Sequence, residues 1–250
     1  MKCLITGGSS GIGKDMAKTL SLLGNEVILV SKDENKLISA CEEIKNSHYY
    51  VCDLSYDVEV NKLCEYLLKE KPDIVINDAG FGAFGDYGEV SLEREMEMVK
   101  VNVISLHKIT KTCLKYMEGN KNAHILNVAS IAGLLPGGPL LGTYYATKSY
   151  VRSYTLGIYE ELRRKGSTIK ISCLCPGPVN TNFNNVANGH FSINSKTSSF
   201  VSEYAIKYMF KNKLIILPGI DVKLGSFFGK ILPSKLVLKI LYKVEHKKRG

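Results

Sequence analysis

Lys2-Cys3-Leu4-Ile5-Thr6-Gly7-Gly8-Ser9-Ser10-Gly11-Ile12-Gly13 opens the chain, and its reading decides the fold. Lys2–Thr6 is a short β run that passes directly into the glycines. Behind them Ile12, Met16, Leu20 and Leu23 recur at helical spacing, so a helix is expected over Gly11–Leu23. Glycines between a first strand and a first helix give a tight turn and let backbone approach a ligand closely. The helix dipole and its N-terminal amides then face an anion such as a pyrophosphate. Key glycines stand at 7, 11 and 13, so a strict G-x-G-x-x-G search misses the segment; the strand before it and the helix after it carry the reading.

Outward from this loop, strand-like and helix-like stretches alternate. Strands are expected at Glu26–Val30, Tyr49–Cys52, Asp73–Ile76, His124–Val128, Thr168–Leu174 and Leu214–Leu217. Helices are expected at Lys32–Asn46, Asp57–Lys69, Leu92–Met117, Thr143–Arg164, Phe200–Phe210 and from Ser234 onward. The strands are short and nearly all apolar, as when helices cover both faces of a parallel sheet. Unbroken alternation predicts one α/β domain, a doubly wound parallel sheet of Rossmann type with about seven strands. Residues 1–220 would form the dinucleotide-binding and catalytic domain, and 221–250 a basic amphipathic extension of it. Asn180–Ser199 is polar and irregular, a length typical of lids, and it follows a strand end where ligands of open sheets bind.

Composition narrows the function classes. With 45% apolar and 23% charged residues, 250 residues can bury a full core. No run of 18 apolar residues occurs, so no membrane span is expected. Met1 lies almost directly on the first strand, which leaves no room for a signal peptide, and seven scattered cysteines read as reduced thiols; a cytoplasmic location follows. Cys173 and Cys175 share one face of a strand, a core pattern and a poor metal spacing. His48, His107, His124, His190 and His246 are isolated, so no metal site is expected. The net charge of +9 resides in residues 207–250, which hold eleven Lys or Arg against Asp221 and Glu245. No aromatic platform accompanies it, which argues against nucleic acid.

Tyr144-Tyr145-Ala146-Thr147-Lys148 opens a helix. Tyr144 and Lys148, four apart, share a face about one turn apart. A lysine cation there favours the phenolate and is expected to lower the tyrosine pKa, making Tyr144 a general acid or base. Tyr145 is three residues from Lys148 and points about 100° away from Tyr144.

The glycine loop, Asn77-Asp78-Ala79-Gly80, Ser130 with Tyr144 and Lys148, and Pro176-Gly177-Pro178-Val179 stand in order at the ends of successive strands. Together they resemble the short-chain dehydrogenase/reductase family over roughly residues 2 to 220. The resemblance implies strand order 3-2-1-4-5-6-7 and a nicotinamide cofactor. It places Gly7, Ser9, Ser10, Gly11, Ile12 and Gly13 at the pyrophosphate, Asp53 and Leu54 at the adenine, and Asn77, Ala79 and Gly80 in the turn after strand 4. Asp78 stands where the family has a second Asn. Pro176, Gly177, Val179 and Thr181 would cradle the nicotinamide. An NAD enzyme of this build carries Asp at the end of strand 2; here Ser31 and Lys32 leave room and a cation for a 2′-phosphate, so NADP(H) is expected. Asp33, one residue beyond, reads as a helix N-cap.

The same resemblance makes Tyr144 the proton donor, Ser130 the carbonyl-polarising hydroxyl, and Lys148 the holder of the nicotinamide ribose. Asn102, mid-helix where Asn is a poor former, would hold a water beside Lys148. The Ser130-to-Tyr144 interval is 14 rather than the family's 13, an extra residue most simply placed in Pro136-Gly137-Gly138-Pro139. The expected reaction is hydride transfer between nicotinamide and a small-molecule carbonyl or alcohol. Rival readings are a 3-oxoacyl thioester reductase that docks an acidic carrier on the basic tail, and a non-enzymatic dinucleotide sensor. In the final helix, Leu236, Val237, Leu238, Ile240, Leu241 and Val244 fill an apolar arc with Lys235, Lys239, Lys243 and His246 opposite. Such a face can pack on its own domain, on a second subunit of a homodimer or homotetramer, or on anionic lipid. Similar tails on family members that reduce long-chain ketoacyl groups or sterols imply an apolar substrate.

Overall fold

Apolar runs of four to six residues, each long enough to cross a sheet once, form its strands. The computed structural model describes residues 1–181 and 195–247. The strands are β1 (Lys2–Thr6), β2 (Glu26–Ser31), β3 (Ser47–Val51), β4 (Ile74–Asn77), β5 (His124–Val128), β6 (Lys170–Leu174) and the two-residue β7 (Ile215–Ile216). All pair in parallel, in the order β3-β2-β1-β4-β5-β6-β7. This is the expected topology, a single-domain Rossmann fold.

Side chains alternate along each strand, so successive residues serve opposite layers. Cys3 and Ile5 of β1 join Met16 and Leu20 of α1 (Gly11–Leu22), Leu37 of α2 (Glu34–Glu43) and Val201 and Met209 of α7 (Ser198–Phe210). Leu4 faces the other way, toward Leu63 of α3 (Asp57–Glu70), Ile109 of α5 (Leu106–Tyr116) and Ile158 of α6 (Gly142–Lys165). Each such Leu or Ile, fully buried, contributes roughly 1.5–3 kcal/mol relative to an exposed one. Cys173 and Cys175 are fully buried with their Sγ atoms 3.7 Å apart, core residues as expected.

Element ends differ from the expectation where side chains intervene. Helix α2 starts at Glu34 because the Asp33 carboxylate accepts the Lys36 N–H at 3.1 Å, an N-cap. It stops at Glu43 because Ile44 is extended, and β3 begins at Ser47, earlier than expected. The long helix expected over Leu92–Met117 is interrupted. Its first part, α4 (Leu92–Val99), widens into a π-helical turn over Lys100–Ser105 before α5 continues. The turn carries Asn102, and such bulges recur at functional sites. Helix α8 (Ile220–Ile231) was not expected; Gly225 and Gly229 break its pattern. It precedes α9 (Ser234–His246), which starts where the sequence placed it.

Among the described residues no helix is long and apolar enough to cross a membrane, and no group of three or more His, Cys, Asp or Glu is placed to hold a metal ion. Val179–Asn180 pairs in parallel with Lys196–Thr197. The intervening lid expected within Asn180–Ser199, with His190, lies largely outside the described residues. Because the chain leaves β1 toward β2 and later crosses back to β4 on its other side, a crevice opens above the β1 and β4 ends.

Candidate active site

The glycine loop fits a pyrophosphate by steric closeness. Gly7 takes φ +72°, and a β-carbon there would stand 3.0 Å from the Ala79 backbone. At Gly13 a β-carbon would lie 2.5 Å from the Gly7 carbonyl oxygen and 2.8 Å from Asp78 Oδ2. The Ser10 side chain does not cap α1 and its first turn holds no acidic residue, while the Asp78 carboxyl faces the Gly13 N–H from the loop after β4. Gly7, Ser10, Gly11 and Ile12 line a cavity of about 310 Å³ together with Ala79 and Gly80 after β4, and Pro176, Gly177, Val179 and Thr181 after β6.

At the β2 end, Ser9 donates to Ser31 Oγ at 2.9 Å, joining the glycine loop to the last residue of that strand. The Lys32 side chain is 63% exposed and its ammonium lies 3.8 Å from Asp53 and 3.9 Å from Glu97, outside the cavity's lining. Asp53 Oδ1 accepts from the Ser55 amide and hydroxyl. Two residues expected near the cofactor turn inward instead. Leu54 is buried with Cys52 and Val60, while its carbonyl accepts from Ser105 Oγ at 2.6 Å. The Asn77 side chain donates to Asn127 Oδ1 at 2.8 Å and Thr110 at 3.3 Å, tying β4 to β5 rather than facing the cavity.

Ser130, Tyr144 and Lys148 meet in the same cavity. Ser130 follows β5 and caps a 3-10 turn (Ile131–Leu134), its Oγ accepting from the Ala132 amide at 3.2 Å. The Ser130 hydroxyl lies near enough to Tyr144 to favour its phenolate. Lys148 Nζ donates to the Val128 carbonyl at 2.9 Å and lies 5.9 Å from the Tyr144 ring centre. Asn102 is buried outside the cavity: it accepts from Phe81 N–H at 3.1 Å and donates to Phe81 O at 2.9 Å and Thr147 Oγ1 at 3.1 Å. Its Oδ1 and Lys148 Nζ converge on Gly80, at 2.9 and 3.3 Å from where a β-carbon would be. The loop with the extra residue closes through a Leu141 N–H to Gly138 O bond, with Leu140 at φ +66°.

The electrostatics correct one expectation. Tyr144 is pushed up to about 12, not lowered: burial dominates, the Ser130 hydroxyl opposes it weakly, and Asp78 and Glu245 reinforce it. Spacing placed Lys148 one turn away, but that ammonium donates to Val128 and faces Asp78. Burial pushes Asp78 up to about 7 against the pull of Lys148 and the Gly13 N–H, and burial likewise lowers Lys148 against Asp78. Tyr145 also departs from expectation: it lines the cavity beside Tyr144, with ring centres 6.4 Å apart and planes at 79°. Asp78, Phe81, Ile131, Ala132, Leu141 and Glu245 line it too. Asp78 was visible as a departure from a motif; Glu245 had no local signal.

The short chain dehydrogenase family profile matches residues 2–190. The chain belongs to the short-chain dehydrogenase/reductase family, and it is an oxidoreductase with a nicotinamide dinucleotide site. A diacetyl reductase [(S)-acetoin forming] of Staphylococcus epidermidis is 31% identical over 185 residues, 71% of this chain and 71% of the relative. A very-long-chain 3-oxoacyl-CoA reductase of Rattus norvegicus is 30% identical over 174 residues, 65% of this chain and 55% of that protein. Among solved structures, a short-chain dehydrogenase from Sphingobium yanoikuyae in complex with NADPH shares the fold at TM-score 0.83 and 20% identity, covering 92% of each chain. A short-chain dehydrogenase/reductase from Burkholderia phymatum in complex with NAD superposes at TM-score 0.81 with 25% identity, covering 91% of this chain and 92% of that one.

Asp78 sets a pH dependence on this site. Burial raises its carboxyl to about 7, so it gains charge as pH rises through the neutral range. A dinucleotide brings further negative charge into the cradle, so affinity is expected to fall as pH rises through that window. NADH, which lacks a titrating 2′-phosphate, is the probe. Titrations at three pH values are expected to show weakening in the wild type and a flatter profile in Asp78→Asn; equal slopes would remove Asp78 as the cause.

Proposed function

We propose that the chain is an NADP(H)-dependent reductase of an apolar ketone or aldehyde. The observation that carries this is the convergence of Ser130, Tyr144 and Lys148 on the cavity that the glycine cradle borders. NADPH, when bound, supplies the hydride to the carbonyl carbon. Gly7, Ser10, Gly11 and Ile12 would hold its pyrophosphate, and Pro176, Gly177, Val179 and Thr181 its nicotinamide end. Tyr144 holds its proton throughout the neutral range, because burial keeps its pKa high, and so stands ready to protonate the carbonyl oxygen. Ser130 polarises that oxygen through its hydroxyl. Lys148 supplies positive charge beside the developing oxyanion, and Asn102 fixes the Phe81 backbone that walls the site. Phe81, Ile131, Ala132 and Leu141 make the substrate end mostly apolar.

Support for the phosphorylated dinucleotide lies at β2, where Ser31 and exposed Lys32 replace a carboxylate. The 3-oxoacyl thioester reading draws on the basic tail and on the likeness to the rat enzyme, and turnover confined to carrier thioesters would favour it. A sensor without turnover has no need of a buried Ser130–Tyr144 pair. The tail supports a peripheral site as well. Val237 and Leu241 pack inward, but Leu224, Phe227, Phe228, Leu236 and Ile240 are exposed, with Lys223, Lys235, Lys239 and Lys243 among them. Apolar side chains flanked by lysines match anionic lipid, and a second subunit is the competing occupant.

Tyr144→Phe is expected to abolish NADPH oxidation by a ketone panel while cofactor affinity stays near wild type, and Tyr145→Phe to be much milder. A dead Tyr145→Phe with an active Tyr144→Phe would reverse the assignment. Lys32→Ala is expected to weaken NADPH by about 1–3 kcal/mol, the range for a charged hydrogen bond, and to leave NADH unchanged. Equal losses for both cofactors would refute the 2′-phosphate contact. The protein is further expected to sediment with anionic vesicles at low salt and release at high salt. A triple change of Lys235, Lys239 and Lys243 to Glu is expected to stop this, whereas absence of binding by the wild type, with a concentration-dependent mass, would favour a subunit contact.

A further inference from the structure

Helix α9 is mostly exposed, yet Glu245 near its end is only 4% exposed and lines the cavity that holds Tyr144. Three contacts seat the helix there. Leu241 packs with Ala132, Leu141 and Tyr145, Val237 is buried, and Leu238 reaches the Gly137 backbone. The Tyr145 hydroxyl donates to Glu245 Oε1 at 3.4 Å, across 100 residues of chain. The carboxylate also raises the pKa of both Tyr144 and Tyr145, so its field reaches the reacting hydroxyl.

Around it the described lining is apolar or aromatic: Ile131, Ala132, Leu141, Phe81 and the two tyrosine rings. Among the described lining residues the other carboxylate, Asp78, lies against Gly13 and so belongs to the glycine cradle, and Lys148 is the one cation. A carboxylate accepts hydrogen bonds and donates none, and in an apolar surrounding its charge is costly unless donors face it. A substrate hydroxyl or amine can add such a donor. A substrate carboxylate brings a like charge, which is a repulsive element in specificity.

We propose that Glu245 is a specificity-determining residue: it selects carbonyl substrates that carry a hydroxyl or amine beyond the reacting group and rejects those that carry a carboxylate there. The assignment rests on reading the cavity as a carbonyl-reducing site. It refines that reading, since the substrate becomes an apolar body with one donor at its far end.

The test compares three substrates matched in chain length, a hydroxyketone, the plain ketone and the oxo acid, each with NADPH. In the wild-type protein kcat/KM is expected to fall in that order, by about tenfold or more between the ends. Glu245→Gln, which keeps shape and removes charge, is expected to raise relative activity on the oxo acid, mainly through KM, and to narrow the range. Glu245→Asp is expected to retain the order. Thermal melting and NADPH affinity of each variant identify folding defects, and the wild-type order stands as evidence even if a variant misfolds. A wild type that treats all three alike overturns the assignment, as does a folded Glu245→Gln that lowers all three by one factor. If NADPH binds but no carbonyl is reduced, the reductase reading itself falls and takes this assignment with it.

Discussion

The backbone of the loop after β1 lies against the backbone of the loop after β4, so near that a β-carbon at Gly7 would stand 3.0 Å from Ala79. That approach is possible because β1 and β4 are neighbours in register, Ile5 opposite Ile76 and Thr6 opposite Asn77. It brings α1, the Asp78 carboxylate and Gly80 into one crevice. From Gly80 the arrangement continues through Asn102 Oδ1 and Lys148 Nζ to α6 and Tyr144. The π-helical turn that carries Asn102 follows from the same constraint, since Asn102 must reach across to clamp both polar groups of Phe81.

Burial then decides how the site is charged. Opposite charges held together normally keep each other ionised, and on spacing alone Lys148 was expected to lower the Tyr144 pKa. In the folded chain desolvation outweighs pairing at Asp78, Lys148 and Tyr144 alike. Two carboxylates, Asp78 on the cradle side and Glu245 on α9, further hold the phenol in its neutral form. A neutral phenol at this place can give its proton to a carbonyl oxygen, as the proposed reduction requires.

The sheet was legible because its signal is local: short, nearly continuous apolar runs bounded by turns, with β5 read end to end and Asp33 recognised as a cap. The glycine loop and the Tyr144–Lys148 spacing were legible for the same reason, as each needs only a few neighbouring residues. What could not be read depends on distant chain. Asn77 looked like a ligand-facing turn residue, but Asn127 and Thr110 draw its side chain inward. Tyr145, turned from Tyr144 by about one residue of helix, still meets the cavity because α9 closes over it. Helix α8 has glycines where periodicity would be counted, so packing rather than pattern defines it.

The terminal helix shows what such long-range placement implies. Val237, Leu241 and Glu245 recur every four residues and form the stripe that faces the domain, while Leu236, Ile240 and Val244, each one residue earlier, form a neighbouring stripe left exposed. One residue is a rotation of 100°, so the two stripes belong to one rigid cylinder about 10 Å across. Whatever covers the outer stripe therefore acts on the inner one. A partner that turned or lifted α9 would move Glu245 relative to Tyr144 and Tyr145, and the cavity wall would change with it. The basic, apolar end of this chain and the tyrosines of the cavity are consequently packed as one unit, although 100 residues separate Tyr145 from Glu245.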